Sequence, residues 1–275
     1  MSELKRCTLC GGEAEPAGLN GKVALARCRE CGFVYAAASD SEIAAANQCG
    51  EESKDRYRRM QSAFDLAWFD GLVGRFPGTN VLDIGCGNGL LLRRYQAAGW
   101  NVAGVDPAPW AQTEDYRVFA DMTSAPDDFY DVVMCTSVLE HVADPVGMLK
   151  RALAATRPGG VVYMSVPNFG SWAARCHPER MRSQQFPHHC NFFTARDLRH
   201  VCTLAGARSH RVRSYGMPRA WDFWRKHRLK ASAPSVQPRQ TSPSPTWKHR
   251  LVAKAYYWAG LWCGDKLELC VTKVA

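Results

Sequence analysis

The sequence predicts an α/β fold with a doubly wound sheet, preceded by a short cysteine-rich segment. Three observations predict it. Strand-like apolar runs alternate with amphipathic helical segments from residue 81 onward, a glycine-rich turn follows the first of these strands, and two cysteine pairs stand in the first 31 residues. Alternating strands and helices favour a parallel sheet with helices on both faces. The 275 residues, 46% hydrophobic and 22% charged, are typical of a globular protein and exclude a disordered chain.

The first predicted unit, residues 1–38, carries cysteines in the pattern C-x2-C-x17-C-x2-C. Two cysteines two residues apart on a tight knuckle can face one ion, and two knuckles complete a tetrahedron. The spacing therefore predicts a small zinc ribbon with a structural Zn²⁺. Four unrelated buried cysteines or a redox pair are the alternatives, although no βαβ pattern surrounds the pairs. The predicted ligands are Cys7, Cys10, Cys28 and Cys31.

Residues 39–80 are expected to connect this ribbon to the main domain. The small and polar residues 39–52 indicate a linker or a weak helix. Apolar residues recur at spacings of three and four over residues 53–76, which predicts a helix that Pro77 and Gly78 end.

Residues 81–275 are predicted to form the main domain. Asp144-Pro145 and Thr194 are N-terminal helix signals, Gly99 ends a helix, and Pro158-Gly159-Gly160 interrupts one. These signals predict helices over residues 90–98, 145–156 and 194–205, and strands over 81–84, 102–105, 116–120, 130–135, 161–166, 207–214 and 267–274. A basic and aromatic insert is expected at about 216–263.

Charge is distributed unevenly along the chain. Residues 1–174 contain 16 basic and 21 acidic residues, whereas residues 175–275 contain 19 and 5. The basic third predicts an anionic partner, which would be a phosphorylated small molecule, RNA or a membrane surface. The alternative is that this third only forms a solvated basic face. Within it, aromatic and apolar residues share one helical face over 247–262, as in a lid over an active site or in a helix at a membrane surface.

The most informative segment is Val81-Leu82-Asp83-Ile84-Gly85-Cys86-Gly87-Asn88-Gly89. Its glycines stand at i, i+2 and i+4, unlike the GxGxxG of dinucleotide sites. Asp83 would repel a pyrophosphate and attract a ligand that carries an ammonium and a sulfonium. Asp106 ends the next predicted strand, where a carboxylate can accept both hydroxyls of a ribose.

This segment resembles the first motif of the class I S-adenosylmethionine-dependent methyltransferases. The acidic Val105-Asp106, the Ala120-Asp121-Met122 turn and the Tyr130–Val133 strand follow in that family's order. The resemblance implies a Rossmann-like, seven-stranded methyltransferase sheet. It also implies contacts to the methionine end of S-adenosyl-L-methionine (SAM), its ribose and its adenine from Asp83, Gly85, Cys86, Gly87, Asp106, Asp121, Met122 and Thr136, with Ser137 as the alternative to Thr136.

Two later stretches are similar to ubiquinone-biosynthesis O-methyltransferases and other small-molecule relatives: Leu139-Glu140-His141-Val142, and the stretch from His188 to Thr194. The resemblance implies transfer to a small-molecule acceptor, most readily a hydroxyl of a sugar, phenolic or lipid-linked compound that is anionic or amphipathic. A proton-accepting base is expected among three histidines, His141, His188 and His189. Glu140 and His141 could instead hold Mg²⁺.

Two other functions stay open from the sequence. A zinc ribbon with a basic face is also similar to one group of ribosomal-RNA guanine methyltransferases, although the Asn/Asp-Pro-Pro-Tyr motif of amino-methylating enzymes is absent and nucleic acid is a less favoured partner. A non-catalytic SAM-binding module is the third possibility. Without an N-terminal signal-type apolar stretch, a cytoplasmic protein is expected, with contact to a membrane surface left open. The oligomeric state is not predicted.

Overall fold

A computed structural model describes the fold of the chain. It describes residues 4–20, 23–46, 75–76, 78–171, 174, 189–215, 264 and 266–274. The predicted helix over 53–76 lies outside these ranges except for its last two residues, and the predicted insert at about 216–263 lies wholly outside them. The aromatic segment 247–262 also lies outside them.

The main sheet has seven strands. Five pair in parallel: β4 (Asn80–Ile84), β5 (Asn101–Val105), β6 (Arg117–Phe119), β7 (Tyr130–Thr136) and β8 (Thr156–Pro167). The strand β11 (Lys266–Thr272) is antiparallel to both of its neighbours, β8 and β10 (Ser209–Tyr215). The strand order is β10-β11-β8-β7-β4-β5-β6. The predicted seven-stranded, Rossmann-like sheet is confirmed. Among the seven described strands only β11 runs against the others, because both of its pairings are antiparallel.

Helices cover both faces of this sheet, as the alternation of buried residues requires. The helix after β4, α2 (Leu90–Ala97), packs Leu92 and Tyr95 on the face formed by Val81 and Val132. The other face receives α3 (Pro145–Ala155) and α4 (Ala195–Leu204). Their N-terminal signals act as predicted, since the side chains of Asp144 and Thr194 accept hydrogen bonds from backbone amides of the first turn.

The strand β8 begins earlier than predicted. The helix α3 already ends at Ala155, and Pro158-Gly159-Gly160, which was predicted to interrupt it, lies inside β8 at an irregularity in the pairing with β7. There Gly159 donates to the Lys273 carbonyl, and Lys273 donates to the carbonyl of Gly160. The glycine pair therefore lies at a break in the β7–β8 pairing, where both glycines bond to Lys273 instead.

The N-terminal residues form a second, four-stranded sheet. Its strands are β1 (Ala14–Asn20), β2 (Val23–Cys28), β3 (Val34–Ala36) and β9 (Asn191–Phe192), in that order and all antiparallel. A short helix, α1 (Asp40–Ala46), follows β3. Phe33 and Tyr35 are fully buried in the same apolar cluster as one face of the main sheet, so the two sheets share a core.

No helix among the described residues is long and apolar enough to cross a membrane.

Candidate active site and cysteine cluster

The predicted cofactor residues lie together because β4 to β7 are parallel and end at one edge. Asp83 is the penultimate residue of β4, and Asp106 directly follows β5. The amides of Gly85 and Cys86 donate to the Val105 carbonyl, which folds the glycine turn back onto β5. This edge is where open α/β sheets bind ligands.

The glycine turn needs its glycines for space as well as for backbone conformation. Gly85 has a φ of +71°, and a Cβ there would overlap the Val138 side chain. Gly89 has a φ of +69°, and a Cβ there would overlap the Tyr116 hydroxyl. The Cys86 side chain lies over Gly104 of β5, so Cys86 presents its backbone to the site.

Two buried carboxylates stand at the centre of this edge. The Asp83 side chain is 3% exposed, and its Oδ1 has no hydrogen-bond partner among the described residues. Burial, and then the nearby charge of Asp106, raise the pKa of Asp83 to about 8. Asp106 instead accepts bonds of 2.9 Å from the amides of Gly87 and Ala108, one on each oxygen. An orphaned carboxylate of this kind fits a cationic ligand group.

The other predicted cofactor residues follow β6 and β7. Met122 is buried, whereas Asp121 is exposed and caps a one-turn 3-10 helix by accepting from the amides of Thr123 and Ser124. The Thr123 hydroxyl also donates to Asp121. This bond first, and then the bonds from the two amides, lower the pKa of Asp121. An adenine amino group would share this carboxylate with the turn. Thr136 ends β7 and is half-buried.

Two further residues lie at this edge, and one of them, Lys266, had no signal in the sequence. Ser137 has a positive φ of +57°, a conformation that residues other than glycine seldom adopt and that clusters at functional sites. Lys266, the first residue of β11, donates to the Ser137 hydroxyl over 3.0 Å. The antiparallel direction of β11 brings this lysine to the edge where the parallel strands end, and that pairing was not predictable from local sequence.

A cluster of one carboxylate and two imidazoles lies beside these residues. Glu140 is 1% exposed, and neither of its carboxylate oxygens has a hydrogen-bond partner among the described residues. Its Oε1 lies 4.0 Å from the His189 Nε2, and the His141 and His189 rings meet edge to face with centroids 4.7 Å apart. Burial raises the pKa of Glu140 to about 7, and Lys266 opposes the rise. Of the predicted bases, His188 lies outside the described residues.

This histidine cluster could also hold a metal ion, because one ligand atom from each of Glu140, His141 and His189 lies within 4.8 Å of the others. Two imidazoles with one carboxylate suit a transition metal better than Mg²⁺, which prefers oxygen ligands. A separate cleft of about 310 Å³, lined by Arg208 and Lys273 among others, lies at the opposite edge of the sheet and contains none of these residues.

The four predicted zinc ligands also converge. The Sγ atoms of Cys7 and Cys31 are 3.6 Å apart, those of Cys10 and Cys28 are 3.5 Å apart, and all four lie within 4.8 Å of one another. These separations are too long for disulfides and close to the edge of a Zn–S₄ tetrahedron, about 3.8 Å for Zn–S bonds of about 2.3 Å. Amides of Leu9 and Cys31 donate to the sulfurs of Cys7 and Cys28.

The thiols differ in acidity. Burial raises the pKa of Cys7 to about 11 and moves that of Cys31 in the same direction. Burial also acts to raise the pKa of Cys28, but hydrogen bonds from the amides of Cys31 and Glu30 outweigh it and lower that pKa to about 7. Four crowded sulfurs with one acidic member fit a cation that would deprotonate the rest.

The comparisons with known proteins agree with the fold and the glycine turn. The family described as "Methyltransferase domain" matches residues 53–211, more than half of the chain. The chain is 33% identical over 117 residues to a ubiquinone biosynthesis O-methyltransferase of Bordetella bronchiseptica, which covers 38% of this chain and 48% of the relative. It is 32% identical over 142 residues to the Acinetobacter baumannii protein of the same name, covering 46% and 60%.

A solved structure supports the same fold at low sequence identity. The Haemonchus contortus phosphoethanolamine N-methyltransferase 2 in complex with S-adenosyl-L-methionine has a TM-score of 0.55 and 15% identity, over 86% of this chain and 60% of that one. The chain spans about half the length of the curated relatives it matches. By the extent of the family match, the chain belongs to the methyltransferase domain family.

Proposed function

We propose that this protein transfers a methyl group from SAM to a hydroxyl of a small-molecule acceptor. The observation that carries the proposal is the pair of buried carboxylates, Asp83 and Asp106, at the ends of neighbouring parallel strands behind a glycine turn. Asp83 has a buried oxygen without a hydrogen-bond partner in the described part of the chain, and SAM offers an ammonium that could bond to it. Membership of the methyltransferase family supports the same cofactor.

The proposed division of roles follows the order of the strands. Asp83 accepts the methionine ammonium, and Asp106 accepts the ribose hydroxyls with the lone pairs that the Gly87 and Ala108 amides leave available. The backbones of Gly85, Cys86 and Gly87 pack on the cofactor, and Thr136 lines its methionine end. Asp121 and Met122 hold the adenine.

SAM supplies an activated methyl group with a neutral leaving group, so the chain's own task is to align the acceptor and to remove its proton. His141 and His189 are the proposed bases, with His188 as a third candidate outside the described residues. The buried Glu140, 4.0 Å from the His189 Nε2, would stabilise an imidazolium formed there. A base of this kind contributes typically about 10²–10⁴-fold to the rate.

The acceptor class rests on the relatives' names. Both curated relatives are called ubiquinone biosynthesis O-methyltransferase, and they support a hydroxyl acceptor here. A sugar, phenolic or lipid-linked compound fits the proposal, and the basic C-terminal third favours an anionic one. We also propose that the four thiolates hold a structural Zn²⁺ and that the protein acts in the cytoplasm, with peripheral membrane contact through the basic third.

The test is a transfer assay with methyl-labelled SAM against sugar nucleotides, catechols and polyprenyl phenols, with total RNA assayed in parallel. Label on an extractable hydroxyl compound that is lost in His189→Ala supports the proposal. Label retained on RNA would establish the ribosomal-RNA alternative. SAM binding without transfer to any acceptor would favour the non-catalytic module.

The metal alternative for Glu140, His141 and His189 has its own readout. About one metal ion per chain that is lost in Cys28→Ser and retained in His141→Ala supports the base. A second ion per chain that is retained in Cys28→Ser and lost in His141→Ala would assign a metal to the histidine cluster instead.

A further inference from the structure

The two-residue strand β9 joins the cysteine ribbon to the histidine cluster. Val34 pairs with Phe192 and Tyr35 with Asn191, and the Ala36 amide donates to the Cys190 carbonyl over 2.9 Å. This segment comes from the main domain, yet its hydrogen-bonded strand partner is β3 of the ribbon. The position of residues 190–192 is therefore tied to β3.

The same segment holds the turn that contains Glu140 and His141. The Cys190 amide donates to the Glu140 carbonyl over 2.9 Å. The Asn191 side-chain amide donates to the Val142 carbonyl over 2.7 Å and to that of Leu139 over 3.2 Å. Asn191 is 4% exposed, so these bonds form in a site where an unpaired amide would be costly.

On its other side, β3 begins directly after the second cysteine knuckle. The Cys28 amide donates to the Phe33 carbonyl over 2.9 Å, which closes the knuckle onto β3. Phe33 packs on Phe193, with ring centroids 5.3 Å apart, and the Tyr35 hydroxyl donates to the Lys5 carbonyl over 2.6 Å. Both knuckles are thus connected to β3 by hydrogen bonds or by the adjoining chain.

We propose that the four-thiolate site is a positioning element for methyl transfer: a metal ion at the cysteines fixes β3, β3 fixes β9, and Asn191 of β9 fixes the Leu139–Val142 turn beside His189. The part that concerns transfer rests on the proposed function, whereas the mechanical linkage does not. A short sheet whose knuckles are closed by a metal loosens when the metal leaves. The cofactor residues of β4 and β5 pair only within the main sheet, so SAM binding should survive.

Hydrogen exchange measured by mass spectrometry on the full chain tests the linkage without any acceptor. Removal of the metal with a chelator should speed exchange at least about tenfold in residues 34–36, 139–142 and 189–193, and leave β4 and β5 unchanged. Zinc added back should restore protection. Unchanged protection of 139–142 in metal-free protein would overturn the proposal, and so would loss of protection throughout the main sheet.

Substitution of Asn191 tests the last step of the chain. Asn191→Ala should speed exchange at 139–142 and lower kcat about tenfold or more while the zinc content and the affinity for SAM stay at wild-type values. Thr194→Ala is the matched control, because Thr194 lies three residues after Asn191 and the hydrogen bonds of its side chain within the described part of the chain are to Asp197 at the start of α4. Equal effects of the two variants on the exchange of 139–142 would overturn the role of Asn191. A failed methyl-transfer assay would leave these exchange results valid and would count only against the proposed function.

Discussion

The cysteine ribbon and the carboxylate edge of the main sheet both bring together groups that fit a cation, but we expect their folding to depend on it differently. The ribbon gathers four sulfurs from two four-residue knuckles, around a sheet whose longest strand has seven residues. The carboxylate edge places Asp83 and Asp106 on a seven-stranded sheet with apolar clusters on both faces. Loss of the cation should unfold the ribbon, whereas the main sheet should fold without its ligand.

The difference follows from where the burial energy comes from. Leu82, Val133 and Met164 have no exposed surface and come from three adjacent strands of the main sheet. In the ribbon, the fully buried Phe33 packs on Phe193 of the main domain. The main domain therefore supplies part of the apolar surface that buries the ribbon's core. A metal can supply the remaining folding free energy of so small a unit.

The largest expected effect is the loss of the ribbon in Cys28→Ser. Removal of one of four thiolates should lower the metal content well below about one zinc per chain and expose residues 4–36 to proteolysis. The main sheet should keep its far-UV spectrum and its protected core. Full zinc content in this variant, measured by plasma emission, would refute the four-thiolate site.

A smaller effect, an increase in the free energy of unfolding, is expected for Asp83→Asn. The pKa of Asp83 is raised to about 8, so the folded chain keeps a proton that the unfolded chain has lost above about pH 4. Stability from this group is therefore present at low pH and is lost as the pH rises toward 8. Asp83→Asn should raise the free energy of unfolding at pH 8 by roughly 1–3 kcal/mol without ligand, and weaken SAM binding.

The control for this variant is Asp144→Asn, which replaces an exposed helix cap by an equally good one. Urea titrations at pH 5 and pH 8 check the sign. A lower stability of Asp83→Asn at pH 8 would show that Asp83 already has a favourable partner in the free protein.

Asp131 lies at the start of β7, at the edge of the sheet opposite to Asp83. The effect of pH on the stability that this carboxylate contributes should have the opposite sign. Its carboxylate accepts from the amides of Thr79 and Asn80 and pairs with Arg157. Although burial acts to raise its pKa, these bonds lower it to about 2. The stability it adds is present above about pH 4 and is lost as the pH falls through 2. Asp131→Asn should cost about 1–2 kcal/mol at pH 7.

That cost should shrink steadily between about pH 5 and pH 2, because the wild-type carboxylate then takes up its proton. Urea denaturation across this range measures it. A cost that does not change with pH would mean that the bonds to Thr79 and Asn80 matter and the charge does not.

Sequence reasoning succeeded where the signal is local. The N-cap at Thr194, the turn at Gly85 and the two cysteine knuckles depend on residues within a few positions of one another, and the structure contains all three. It failed where distant segments pair. The strand β9 has only two residues, and the direction of β11 depends on its pairing with β8, so neither could be read from local patterns.

The candidate site shows the same division. Asp83 and Asp106 end apolar runs, and this position alone marks them in the sequence. Asn191 had no such mark, because its importance comes from the carbonyls of Leu139 and Val142, some fifty residues earlier in the chain. The left-handed Ser137 likewise bonds to distant residues, since its amide donates to the Ser165 carbonyl and its hydroxyl accepts from Lys266.

The most direct test of the central claim is calorimetric titration of SAM into the wild-type protein and into Asp106→Ala. We expect one site per chain with micromolar affinity in the wild type. In the variant we expect binding weaker by roughly 10- to 150-fold, from the loss of hydrogen bonds to a charged group. Wild-type affinity in Asp106→Ala, or no binding of SAM to the wild type, would contradict the claim.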